Sequence, residues 1–343
     1  MRYDSMDFLR SIAIIFVVLA HSVLSYGAPA YIAPLQLGGI GVDLFFVLSG
    51  WLLGGQLFKE AERTQSIDIK RFWIRRWMRT LPAYYAVLVL SVAQRYINLD
   101  DVRFPLEYFV FLQNYNESLS FFSISWSLCV EEQFYLFIAP LLALMCRFNK
   151  QQTTIVLIIF LMIPLIVREN GWATAGMPVY SQMDGCIFGV LLAQLRNQYS
   201  TYWEQLVKII VPLSIISLVI FILLFIGRYD PRFGLGEPDN LLLALVFGSW
   251  VVLANANDVW RNRLYFPGAN YIATRSYGIY LLHPEVLALL KRFALEWNFL
   301  LYFIASMIGS IILAEVLYRC LEKPFMDARE KFKASRSQAV PVT

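Results

Sequence analysis

Apolar residues in this chain come in long unbroken runs separated by short polar links. They do not alternate as strands do, and most runs carry no polar stripe. Runs near 20 residues match the length a helix needs to cross a hydrocarbon core of about 30 Å. Ten such stretches are predicted: 7–26, 39–57, 81–97, 128–147, 152–168, 181–195, 207–227, 240–256, 271–290 and 299–319. The shortest, 181–195, is expected to be less tilted or partly buried among its neighbours. The pattern predicts an all-α integral membrane protein, a polytopic bundle of about ten transmembrane helices. The first run continues through His21 to Tyr26, so it is expected to remain as a span and not to be cleaved as a signal peptide.

One stretch departs from the pattern. Over residues 66–80, Ile69, Trp73 and Trp77 recur every four residues, and Arg71, Arg75 and Arg79 recur on roughly the opposite face. Ser66 is a candidate N-cap, with Asp68 in the first turn. Two readings are open: a helix on the membrane surface with its arginines on anionic lipid, or an anion site for a phosphorylated cofactor.

Charge orders the spans. With the N-terminus in the cytoplasm, 22 of the 29 Lys and Arg fall on the cytoplasmic side and 7 on the other. The positive-inside rule therefore favours ten spans with both termini cytoplasmic. Residues 1–325 form one transmembrane domain. Residues 326–343 form a cytoplasmic basic tail, expected to be disordered from Glu330 onward. Apolar residues make up 58% of the chain and charged residues 16%, well below the roughly 25% charge of a soluble domain. The net charge of +4 gives no reason to expect nucleic acid. The four cysteines have no metal-ligand spacing, and no metal site is predicted.

Ionisable residues inside the spans need a reason, because each costs about 2.5–3.5 kcal/mol even on the milder insertion scale. Arg10 lies near the cytoplasmic end of the first span. His21 is 11 residues further on, about 16 Å along the same helix face. Asp43, Glu131, Glu132, Asp184, His283 and Glu285 are expected near the depth of His21, while arginines collect at the cytoplasmic end. An anionic molecule fits the basic end, and a hydroxyl compound fits a His with a carboxylate behind it. Singly, each residue also has a structural reading: His21 as interhelical glue, Asp43 as a partner of Arg or backbone, His283 at a kink before Pro284.

Six motifs in order carry a resemblance. They are Asp7-Phe8-Leu9-Arg10 with His21; Gly41-Val42-Asp43-Leu44-Phe45-Phe46 through Ser49-Gly50; and Arg75-Arg76-x-x-Arg79-x-x-Pro82-x-Tyr84-Tyr85. Then come Ser125-Trp126-Ser127-Leu128 with Glu131-Glu132-Gln133-Phe134-Tyr135; Ser276-Tyr277-Gly278-Ile279-Tyr280-Leu281-Leu282-His283-Pro284; and Glu322-Lys323-Pro324-Phe325. The chain resembles the membrane-bound acyltransferase family 3, the glycan O-acyltransferases that include O-antigen and exopolysaccharide acetylases. Ser11, Trp51 and Gln182 depart from the usual Gly, Phe and Arg, the last leaving the role of Asp184 open.

The resemblance implies transfer of an acyl group, usually acetyl, from cytoplasmic acyl-CoA (acetyl-CoA) to a hydroxyl of a cell-surface or lipid-linked glycan. It implies a multi-pass protein of the inner or plasma membrane. Phosphates of the donor are expected near Arg10, Arg75, Arg76 and Arg79. His21 is expected to be the general base, with Asp43 orienting it, while Glu131 and His283 position the acceptor or stabilise the oxyanion. Membrane lipids and glycan-assembly proteins are the expected partners. Some members carry an extracytoplasmic esterase-like domain; none is expected here, so a second transfer step is expected to need another protein. The alternative is a transporter or flippase for a glycan or glycolipid, which would use the same buried charges.

Overall fold

The computed structural model describes residues 4–98, 104–117, 119, 121–173, 176–228, 239–293 and 297–334. Every regular element among them is helical. The helices are α1 (Asp4–Ser25), α2 (Gly41–Thr64), α3 (Ile69–Asn98), α4 (Leu106–Phe109), α5 (Ser125–Leu144), α6 (Lys150–Glu169), α7 (Val179–Gln182), α8 (Asp184–Gln198), α9 (Ser200–Gly227), α10 (Asn240–Asn255), α11 (Asp258–Arg263), α12 (Ala269–Phe293), α13 (Phe299–Leu317) and α14 (Lys323–Ala334). A tight helical turn, Ala33–Ile40, leads into α2, and a widened turn, Tyr318–Glu322, joins α13 to α14.

Among the described residues, six segments are long and apolar enough to cross a membrane: Asp4–Ser25, Ala33–Thr64, Ser125–Arg147, Lys150–Glu169, Ser200–Gly227 and Phe299–Arg329. Helix α10 is apolar but shorter. Each of the ten predicted stretches overlaps one long helix. Two boundaries differ. The amphipathic stretch 66–80 and the span predicted at 81–97 are one continuous helix, α3, with Pro82 inside it. Helix α14 reaches Ala334, so residues 330–334 are helical where disorder was expected; residues 335–343 lie outside the described residues.

Helix α2 is the centre of the bundle. Its apolar window is 72% buried, against 17% for α6 and for α9. That contrast follows from what each helix faces. Helix α2 packs on α1, α5, α8 and α10, whereas α6, α9 and α13 turn rows of Ile, Leu and Val outward, as lipid-facing helices do. The closest packing is between α2 and α8. A Cβ at Gly50 would collide with the Cys186 carbonyl, and one at Gly189 with the Val47 carbonyl. Small residues at such a seam let helix backbones touch, where lipid supplies little hydrophobic drive. Serines join other helices: Ser22 bonds Ser306 at 2.9 Å, and Ser217 bonds Ser249 at 2.7 Å.

Candidate functional site

Two helices meet at a pair of histidines. His21, near the end of α1, faces His283 of α12. The rings are stacked with centroids 4.9 Å apart, and His21 Nδ1 lies 3.0 Å from His283 Nε2. The local sequence explains how His283 is held. Pro284 has no N–H, so the carbonyl four residues earlier, on Tyr280, loses its helical donor. His283 Nδ1 lies 2.8 Å from that oxygen and 3.2 Å from the Ile279 carbonyl. A carbonyl only accepts, so Nδ1 carries the proton, and Nε2 of the neutral ring is the acceptor. His21 Nδ1 then donates to His283 Nε2. With both rings neutral, this assigns the lone pair of His21 to Nε2, the form a general base needs. His283 is fully buried.

His21 borders two clefts. One is lined by Asn114, Asn116, Glu117, Ser123 and Trp126, with Gly176 and Met177 across from them. The other lies between the Ala33–Ile40 turn, α2 and α10, and is lined by Gln36, Asp43, Arg228 and Asn240. Asp43 therefore shares a cleft with His21. No hydrogen bond joins the two among the described residues, so the expected His21–Asp43 pair is replaced by His21–His283. The reason lies in helix geometry: Asp43 sits in the first turn of α2 and faces the α8 side, near Asp184 and Arg168.

That neighbourhood contains an ion cluster. Arg168 of α6 donates to Asp184 at 2.8 Å, to Asp239 at 3.0 Å, and to the Ser181 carbonyl at 2.7 Å. Asp184 is buried. The guanidinium missing at Gln182 is thus supplied from a different helix. Gln182 instead accepts from Asn240 at 2.9 Å.

Glu131 lies elsewhere. Its Oε1 accepts from Ser49 at 2.8 Å, and its Oε2 is 3.8 Å from Arg76. Tyr135 closes the group: its hydroxyl accepts from Arg76 and lies 3.0 Å from Ser49, and the Arg76 guanidinium sits 4.2 Å above its ring. Glu131 therefore does not join His21. It borders a separate basic cavity lined by Arg10, Ser49, Arg76, Arg79 and Tyr280. The adjacent Glu132 is buried and accepts from Thr80 at 2.9 Å.

The arginines of α3 line cavities. Arg71, Arg75, Arg76 and Arg79 border one cavity together with Arg329 of α14. Arg79 also borders a third cavity with Asp7, Arg10 and Glu322. Five guanidinium groups about one opening make a strongly anion-attracting mouth. Residues 326–343 were set apart from the transmembrane domain by sequence, yet Arg329 belongs to this cluster. Glu322 is buried with its Oε1 making no hydrogen bond. The widened turn at Tyr318–Glu322 aims it inward, and such turns recur at functional sites.

The basic cavity and the histidine clefts approach each other at Tyr280. Its hydroxyl is 2.6 Å from Ser127 and donates to the Ile124 carbonyl at 2.8 Å. Tyr280 and Ser127 border the basic cavity, while Ile124 borders the Trp126 cleft. Ser49, Ser127, Tyr135, Tyr280 and Glu322 lie within the sequence motifs, which by themselves assign them no partner. Arg168 and Arg329 carried no signal of their own.

The acyltransferase-domain family model matches residues 3–319. The chain is 27% identical, over 99% of its length, to a Staphylococcus aureus protein provisionally named an O-acetyltransferase, of which it spans 60%. It is 26% identical over 93% of its length to the peptidoglycan O-acetyltransferase OatA of Listeria monocytogenes, spanning 55% of that protein. It is 25% identical over 96% of its length to the O-acetyltransferase OatA of Staphylococcus aureus, spanning 58%. The chain thus spans somewhat over half of each of these relatives. No solved structure matches it.

Proposed function

The chain belongs to the acyltransferase-domain family, and from that premise we propose that it transfers an acyl group, acetyl in the first instance, to a hydroxyl of a glycan. The single observation carrying this reading is the His21–His283 pair, whose tautomers leave His21 Nε2 as a half-buried base beside two clefts. The proposed donor is acyl-CoA. Its phosphates would lie at the mouth formed by Arg71, Arg75, Arg79 and Arg329, and its pantetheine arm would run past Arg76 and Glu131 to Tyr280. We place that mouth at the cytoplasmic face and the histidine clefts toward the outer face, with ten spans, both termini inside and the plasma or inner membrane as location. The charge count supports this orientation.

In the proposed step, His21 Nε2 takes the proton of the acceptor hydroxyl as its oxygen attacks the thioester carbonyl. The bond to sulfur then breaks, and the thiolate leaves as coenzyme A, taking the proton back from His21. His283 holds the His21 ring and accepts its Nδ1 proton throughout. Asp43, sharing a cleft with His21, is available to position the acceptor. Glu131 and Tyr135 hold Arg76 at the donor channel. The family match supports this reading over the transporter or flippase alternative.

The test is mass spectrometry of surface glycans from cells with the gene, without it, and with His21→Ala. The expected result is an acyl mass increment present only with the intact protein. An increment kept by His21→Ala but lost without the gene would remove His21 as the base, and glycans identical in all three would remove the transferase reading.

A further inference from the structure

His21 is the one residue shared by the linings of the two outer clefts. The first cleft, about 450 Å³, runs from His21 toward the start of α5 and the 113–117 segment. The second, about 300 Å³, runs from His21 between α1, the Ala33–Ile40 turn and α10. Their remaining walls come from different parts of the chain, so they leave His21 in different directions. An acceptor confined to one sugar unit needs one cleft. Two clefts diverging from one base suit a chain that continues on either side of the reacting unit.

The chemistry of both walls is that of carbohydrate recognition. In the first cleft, Trp126 is half-buried and packs edge-on against Phe46 at 6.2 Å, which fixes its ring. Asn116, Glu117 and Ser123 are exposed around it. An indole face suits the C–H face of a pyranose, while amides, hydroxyl and carboxylate suit its ring hydroxyls. Among the described residues, no Lys or Arg lines this cleft. The cleft is shaped by a close approach: Gly176 lies so near the carbonyls of Asn114 and Asn116 that any Cβ there would collide. The Met177 N–H donates to the Asn114 carbonyl at 2.7 Å, and Gln133 holds the Asn114 side chain at 2.9 Å. The wall is therefore built before any acceptor arrives. In the second cleft, Gln36, Asp43, Asn240 and Arg228 supply donors and acceptors of both kinds.

We propose that the acceptor is an already assembled glycan chain lying across His21, one neighbouring sugar on Trp126 and another in the Gln36–Asn240 cleft, so that internal units are acylated. This rests on the acyltransferase reading above. The test uses the full chain in lipid nanodiscs with isotope-labelled acetyl-CoA. Surface polysaccharide from the host, stripped of O-acyl groups with mild base, is offered intact or cut to single repeat units. The expected result is label on internal sugars of the intact polymer, with single units accepting at least tenfold less. Trp126→Ala is expected to lower polymer labelling at least tenfold at unchanged acetyl-CoA binding, and Trp126→Tyr to retain most of it. Single units labelled as well as the polymer, or label only at chain ends, would overturn the inference and leave the transferase intact. No label on either acceptor would overturn both.

Discussion

His21 Nδ1 and His283 Nε2 stand 3.0 Å apart, and with both rings neutral the hydrogen-bond pattern assigns the proton between them to His21. This follows from one proline. Pro284 strips the Tyr280 carbonyl of its helical donor, His283 Nδ1 fills the gap, and His283 is left to accept from His21. The kink and the chemistry are thus one device: the structural reading of His283 is what makes the functional reading of His21 possible.

The pair is expected to behave as a unit. His21→Ala should lower kcat by about 10²–10⁴-fold, the usual range for loss of a general base. His283→Ala should lower it by about 10–100-fold, as loss of an orienting partner does. The double variant should be no slower than His21→Ala alone, because residues acting as a unit are not additive. Steady-state acyl transfer in membranes measures all three. Additive losses would separate the two roles.

The arginine mouth gives a different kinetic signature. Arg75→Ala combined with Arg79→Ala should raise the KM for acyl-CoA at least tenfold and leave kcat for bound donor within a fewfold, because ground-state binding is what is lost. Donor saturation curves check this. Unchanged saturation would return these arginines to a lipid-facing role.

The ion cluster around Arg168 is expected to be structural. Arg168→Ala leaves the buried Asp184 without its cation, and breaking such a pair costs about 3–5 kcal/mol. The yield of folded protein in detergent, followed by size-exclusion chromatography, should fall sharply. Adding Gln182→Arg, which returns a guanidinium to the position the family usually fills, should recover part of the loss.

Glycines of the α2–α8 seam should differ from glycines outside it. Gly50→Ala places a methyl against the Cys186 carbonyl, a backbone atom that moves only with its helix. Thermal unfolding in detergent should shift down by several degrees or the protein should fail to accumulate. Gly39→Ala meets nothing within 4 Å and should be silent. Equal effects at both positions would place the packing seam elsewhere.

The sequence by itself determined the helical class and, among the described residues, where each long apolar helix lies, though not that 66–80 and 81–97 are one helix. The physical reason is that hydrocarbon tolerates no unsatisfied backbone, so long apolar runs become helices. An ionisable group inside such a run must also have a purpose. Arg10, His21 and His283 stood out as candidates on those grounds, Arg76 only through the motifs of the resemblance, Arg79 through those motifs and the 66–80 periodicity, and the motif order pointed to the family. Pairing was not legible, because depth along a helix says nothing of which helix stands opposite. Asp43 lies at the depth of His21, yet its place in the first turn of α2 turns it toward α8. Glu131 was expected beside His21, and Ser49 and Arg76 hold it in the other cavity. Arg168 took the part left open at Gln182, and α14 returned Arg329 to the arginine mouth. Only the crossing of helices far apart in sequence decides such partnerships, and it is the tertiary structure that set His283, and not a carboxylate, behind His21.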